Sequence, residues 1–299
     1  MYFAVAGIEV APWLPPLVAF GISFFTSMGG VSGAFLLLPF QMSFLGYTHP
    51  SVSATNQLYN IVAIPSGVYR YWREGRMLWP LTWIVVAGTL PGVFLGAFVR
   101  VSWLPDVKNF KLFAAAVLLY IGGRMGFALL AGGKTDAAGK GRIESGEGAT
   151  VQVNHFSLGR LEYTFAGQRH SPPFWGVFAL SCVVGVVGGI YGIGGGAIIA
   201  PFLVSVFGLP IHTVAGAALM GTCVTSVAGV LFYQALAPFY PHMSVAPDWL
   251  LGLLFGLGGM AGMYLGARCQ KFVPARAIKW LLCLILLFVA GKYALEFFR

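Results

Sequence analysis

With 299 residues, 58% of them hydrophobic, 9% charged and a mean hydropathy of +0.81, the chain has the composition of a polytopic membrane protein and not of a soluble domain. Its net charge of +9 comes from 18 basic residues scattered between apolar runs. That scatter excludes the gathered basic face of a nucleic-acid binder and reads as topology information. Cys182, Cys223, Cys269 and Cys283 fall in apolar stretches with no CxxC and no His at ligand spacing, so they are expected to be packing thiols. No metal or other cofactor is implied.

The first 16 residues carry no Lys or Arg and are broken by Pro12, Pro15 and Pro16, so no cleavable signal is expected there. Glu9 and Trp13 suit an interfacial segment. Residues 17–45 are apolar or small and uncharged. As one helix they would reach ~43 Å, beyond the ~30 Å hydrocarbon core. With Ser27-Met-Gly-Gly-Val-Ser-Gly33 near the middle, a broken helix or re-entrant hairpin is the simpler reading. Helices are then expected over about 52–71, 78–99 and 110–131, flanked by Trp72, Trp79 and Trp103 as interfacial anchors.

Residues 132–172 are the long polar stretch, with Lys134, Lys140, Arg142, Arg160, Arg169 and four acidic residues. The alternation in 150–156 and 160–165 around Ser-Leu-Gly predicts a small β-hairpin, which we read as a structural cap. The second half predicts a broken segment over 174–207 and helices near 212–235, 249–266 and 275–297. The domains are thus 1–131, a first transmembrane repeat; 132–172, a linker; and 173–299, a second repeat.

The halves are copies. An offset of 162 places Gly30 on Gly192, Gly33 on Gly195, Pro39-Phe40 on Pro201-Phe202 and Gly46 on Gly208, and continues to Tyr71 on Tyr233. Beyond that the register drifts, with Gly92 and Gly96 falling on Gly262 and Gly266. Duplicated halves with a Gly/Pro-interrupted apolar segment at matching positions point to a transporter site at the repeat interface.

The interruption is sharpest at Gly192-Ile-Gly-Gly-Gly196, followed by Pro201, in a run from Pro172 to Pro247 with no Lys, Arg, Asp or Glu. Gly is about 1 kcal/mol worse than Ala inside a helix, so a break is expected. The freed backbone groups must find partners inside the protein. The competing reading is that the glycines merely let two helices pack closely.

Basic residues set the orientation. If each broken segment enters and leaves on one side, the halves are inverted. Twelve basic residues (Arg70, Arg73, Arg76, the five in the linker, Arg268, Lys271, Arg276 and Lys279) then fall inside, against Arg100, Lys108 and Lys111 outside. Parallel halves give almost no bias. The fold class expected is therefore an all-α polytopic membrane protein of two inverted repeats, each with one broken or re-entrant segment and three transmembrane helices, with a cytoplasmic linker.

Gly192-x-Gly-Gly-Gly-x4-Pro201, its weaker copy Gly30-x-Ser-Gly-x5-Pro39, and the small/hydroxyl helix start Ser53-Ala-Thr-Asn56 resemble the sulfite exporter TauE/SafE family of membrane permeases. The resemblance covers both apolar halves. It implies an inner-membrane, multi-pass carrier, commonly an exporter, for sulfur oxoanions such as sulfite, sulfoacetate or other organosulfonates. The first copy departs from the second at Ser32 and Ala34, and the second half has Ala217-Ala218 where the first has Thr55-Asn56. The halves should therefore contribute unequally.

A sulfonate has three acceptor oxygens, and half-helix N–H groups plus neutral donors could hold it. Candidate substrate-binding residues are Ser27, Gly30, Ser32 and Gly33 in the first break and Thr55, Asn56, Gln57 and Asn60 on the next helix. In the second half they are Gly192, Gly194, Gly195 and Gly196, with Thr222 and Ser226. Asn56 and Asn60 share a face, as do Thr222 and Ser226. Interhelical hydrogen bonding is the competing role for all the polar ones, and for Thr225 the favoured one. Arg124 is read as snorkelling to the interface. The broken segments and the helices after them hold no carboxylate, and His49 and His212 adjoin prolines as loop residues would, so no coupling group is assigned. The expected partners are the anion and the bilayer, with self-association left open and no nucleic acid.

An enzyme is not indicated: there is no helical His/Glu metal pattern and no nucleophile with a base at recognisable spacing. The glycine cluster lacks the strand and acidic residue of a dinucleotide fingerprint. An anion channel using the same half-helix dipoles is the alternative.

Overall fold

The structure, a computed structural model, describes residues 1–29, 32–73, 75, 77–130, 152–157, 159–165, 167–269 and 275–298. Helix dominates. In the first half α1 (Leu14–Gly29) and α2 (Ala34–Ser43) are followed by α3 (Ser51–Ala63), α4 (Pro65–Arg73), α5 (Trp79–Ser102) and α6 (Val107–Leu130). In the second, α7 (Phe174–Tyr191) and α8 (Gly196–Phe207) precede α9 (Ile211–Leu236), α10 (Trp249–Cys269) and α11 (Ala275–Phe298). Among the described residues six helices are long and apolar enough to cross a membrane: α5, α6, α7, α9, α10 and α11.

Several prolines stand at helix starts, where their missing N–H does least harm, while Pro39, Pro91 and Pro201 lie inside α2, α5 and α8. Pro15 and Pro16 fall in the first turn of α1, and Pro210 stands extended (φ −61°, ψ 131°) just before α9. Pro65 splits what reads as one helix over 52–71 into α3 and α4, while its counterpart α9 runs unbroken through 26 residues.

Both halves carry a small β appendage. The expected linker hairpin is a three-stranded antiparallel sheet, β3 (Gln152–Phe156), β4 (Leu161–Phe165) and β5 (Gln168–His170). Leu161 and Tyr163 of β4 enter the core, and Tyr163 pairs its hydroxyl with Thr213 at 3.1 Å. The interfacial segment expected before α1 folds instead as a hairpin, β1 (Tyr2–Phe3) with β2 (Ile8–Glu9), which buries Phe3 and Ile8. Asp248 pins it: one carboxylate oxygen accepts from Ala6 N at 3.3 Å and the other from Leu251 N at 3.0 Å, capping α10.

The two largest helix interfaces join the halves, α5 along α7 and α10 along α1. Each is a glycine face at i, i+4, i+8 laid on the partner's backbone. A Cβ on Gly88, Gly92 or Gly96 would run into the carbonyl oxygens of Phe178, Cys182 or Val186. On Gly258, Gly262 or Gly266 it would run into those of Pro16, Phe20 or Phe24. The acceptors differ by 162 positions in every case and the glycines by 170. The duplication thus survives as an exchange of partners, and backbones approach as small residues permit. One buried apolar cluster runs through both halves.

Candidate functional site

The second break is where the glycines lie. Helix α7 ends at Tyr191, Gly192 (φ 82°) and Gly194 (φ 71°) are left-handed, and α8 starts at Gly196. Only Gly takes that backbone region freely. Space is equally short: a Cβ on Gly192 would strike the Ser53 carbonyl oxygen, and one on Gly196 the Ala218 carbonyl oxygen. The close-packing role and the helix-breaking role therefore coexist.

A helix end inside the protein leaves carbonyls that need donors. Here four of them take side chains from other helices. Tyr233 donates to Gly189 O (3.0 Å), Ser53 to Ile190 O (2.9 Å), Asn56 to Gly192 O (3.1 Å) and Asn60 to Ile193 O (3.1 Å). Three of these donors belong to α3, whose Ser53, Asn56 and Asn60 are fully buried.

The first break meets the second at Asn56. Its Nδ2 also donates to Ala34 O at 3.1 Å, and Tyr191 at the end of α7 donates to Phe35 O at 3.0 Å. Gln41 of α2 donates to Asn56 Oδ1 at 3.4 Å. The N-cap positions of α2 and α8 are the glycines Gly33 and Gly195, which offer no side-chain cap, and helix starts favour negative charge.

Beyond these bonds some polar atoms on α3 and α9 stay unmatched. Gln57 Nε2 and Oε1, Asn60 Oδ1 and Ser226 Oγ are buried without a hydrogen-bond partner among the described residues. They belong together. The Gln57 carboxamide lies over Gly229, one turn from Ser226, and the Ser226 hydroxyl faces Gly194. Asn60 reaches the same strip through Ile193 O. Buried polar atoms are nearly always satisfied, so such a cluster calls for an explanation. The side chains are neutral and the site is closed: Gln57, Asn60 and Ser226 are all 0% exposed.

The other predicted residues are occupied. Ser27 bonds back to Phe24 O (3.1 Å) and Thr222 to Ala218 O (2.9 Å), each within its own helix. Thr225 likewise bonds Gly221 O. Ser32 accepts from Ala34 N at 3.3 Å, and Gly33 opens α2 directly against Tyr59 OH, which bonds Ser23 at 2.7 Å. Gly195 precedes α8 with helical backbone, and Gly30 lies outside the described residues. Thr55 points to another end: it pairs with Tyr47 OH and accepts from Asp248 N, both at 2.9 Å. Burial pushes the Tyr47 phenol well above its ordinary range, against the pull of its Thr55 hydrogen bond. Arg124 is held by a backbone carbonyl. It donates to Pro201 O at 2.6 Å, as Tyr293 donates to Pro39 O at 3.3 Å.

Missed from sequence were Ser53, Tyr191 and Tyr233, which feed carbonyls of the breaks. The offset pairs Tyr233 with Tyr71 and was a usable signal. Tyr191 has none, since aromatics in an apolar run look alike.

Duplicated halves, two broken helices that share a donor, and six membrane-length spans among the described residues define a polytopic membrane protein of transporter class. The description "Sulfite exporter TauE/SafE" matches residues 16–293, and the chain belongs to that family of membrane transporters, a permease and not an enzyme family. It is similar to the "Probable membrane transporter protein YdhB" of Bacillus subtilis (strain 168), 29% identical over 100 residues, 33% of this chain and 37% of that protein's length. No solved structure matches.

Proposed function

We propose that the chain carries small sulfur oxoanions, sulfite or an organosulfonate such as sulfoacetate, outward across the cell inner membrane, by alternating access between inverted halves with a cytoplasmic linker. The observation that carries this reading is the set of unmatched buried atoms on Gln57, Asn60 and Ser226, with the Ser226 hydroxyl facing Gly194 in the break before α8. Gln57 Nε2 and the Ser226 hydroxyl supply neutral donors to the anion's oxygens, and backbone N–H groups of the α8 start add their dipole. Asn56 holds the two breaks in register, while Gly192, Gly194 and Gly196 let the backbone come close. A neutral cradle binds modestly and releases readily, as a carrier requires. Gln57, Asn60 and Ser226 are fully buried, so transport requires the site to open to either face.

Counterflow in proteoliposomes tests this. Trans-stimulated exchange of labelled sulfite or sulfoacetate, with taurine and chloride as comparisons, is the expected result. Conductance without trans-stimulation would mark a channel, and neither response would remove the oxoanion assignment.

A further inference from the structure

Arg100 is expected from sequence to serve as a loop charge, yet it is fully buried in the last turn of α5. Its Nη1 donates to Leu104 O in the turn before α6, and the guanidinium carbon stands 3.7 Å from the centre of the Phe110 ring. Among the described residues Nε and Nη2 have no hydrogen-bond partner. Those two nitrogens form the side-on edge of the guanidinium, the fork that matches two oxygens of one oxoanion. A buried cation is normally paired, and here the aromatic face and one carbonyl leave the bidentate edge without a partner among the described residues.

The position is not remote from the breaks. Ala97 and Val101, on either side of Arg100, pack in one buried cluster with Ala54 and Tyr233, and Tyr233 is the donor to Gly189 O at the end of α7. We propose that Arg100 forms a second, charged station for an oxoanion, a sulfonate or carboxylate gripped side-on by Nε and Nη2. It lies between the α5–α6 turn and the second break. This station differs in chemistry from the neutral cradle at Gln57 and does not depend on it.

Hydrogen exchange on the purified full chain, with methanesulfonate against chloride at equal ionic strength, tests the station. Methanesulfonate should slow exchange across residues 100–110 saturably, and chloride should not. Arg100→Lys keeps the charge but loses the fork, and should raise the half-saturating concentration about tenfold. Gln57→Met should leave it unchanged, because Gln57 belongs to the other site. Absence of anion-specific protection in the unaltered chain overturns the proposal. So does an Arg100→Lys chain that saturates at the original concentration, or protection that disappears in Gln57→Met.

Discussion

Asn56 and Gly192, 136 positions apart in the chain, are joined by a 3.1 Å bond from the carboxamide nitrogen to the carbonyl. The same nitrogen holds Ala34 O at 3.1 Å. One side chain from the first half thus ties both interruptions together. Asn56→Ala would strand two buried carbonyls at about 1–3 kcal/mol each. We expect a large drop in the unfolding temperature in detergent, with loss of exchange activity. Asn56→Asp should do no better, because a carboxylate cannot donate to either carbonyl.

Gly192 and Gly208 both have left-handed backbone, at φ +82° and +64°, but only Gly192 is crowded. Ala at Gly208 should cost about 1–2 kcal/mol, the left-handed penalty alone. Ala at Gly192 adds a collision with Ser53 and should abolish a monodisperse folded fraction in size-exclusion chromatography.

The exchanged glycine faces make a symmetric prediction. Gly92→Val and Gly262→Val both force apart backbones already in contact, and each should cost more than the 1–3 kcal/mol typical of overpacking. Gly123→Val, with open space around it, should be tolerated. Thermal denaturation of the three chains checks this, and unequal effects at Gly92 and Gly262 would mean that the duplication no longer governs packing.

His170 stacks on Tyr163 with ring centres 5.3 Å apart, and its Nε2 is buried without a partner. Burial holds its pKa below the ordinary 6.5. The folded sheet then binds a proton less readily than the unfolded linker does. Stability contributed by the neutral ring is present above pH 6.5 and is lost as pH falls through the window below it. Amide protection in β4 and β5, corrected for intrinsic exchange rates, should decline from pH 7 to pH 5. His170→Phe should remove that dependence.

Much of this was legible in the residues, for reasons that can be named. Four glycines in five positions cannot hold a helix, and the break runs from Gly192 to Gly195 as read. The duplication showed in Gly and Pro spacing because those residues answer to backbone geometry, which both halves share. Pairing of α5 with α7 was harder: Gly88, Gly92 and Gly96 mark a close-packed face but do not name its partner. Asn56 and Gln57 are adjacent and chemically alike, and only coordinates separate the amide that binds two carbonyls from the amide that binds nothing. Arg100 looked like a loop charge because helix ends carry many, and its burial follows from the α5–α6 turn folding Leu104 and Phe110 over it. The β1–β2 hairpin has two-residue strands, too short for alternation to reveal.

Gln57→Met decides whether the idle polar atoms of Gln57 and Ser226 belong to substrate or to the fold. Replacing an unsatisfied buried amide by an apolar side chain of similar volume should leave stability unchanged or raise it. Trans-stimulated sulfoacetate exchange measured beside the unfolding temperature of the same preparation is the direct test. An intact or higher unfolding temperature is expected, with exchange reduced at least about tenfold, equivalent to ~1.4 kcal/mol of lost substrate interaction. Undiminished exchange in a well-folded Gln57→Met chain would contradict the assignment to substrate.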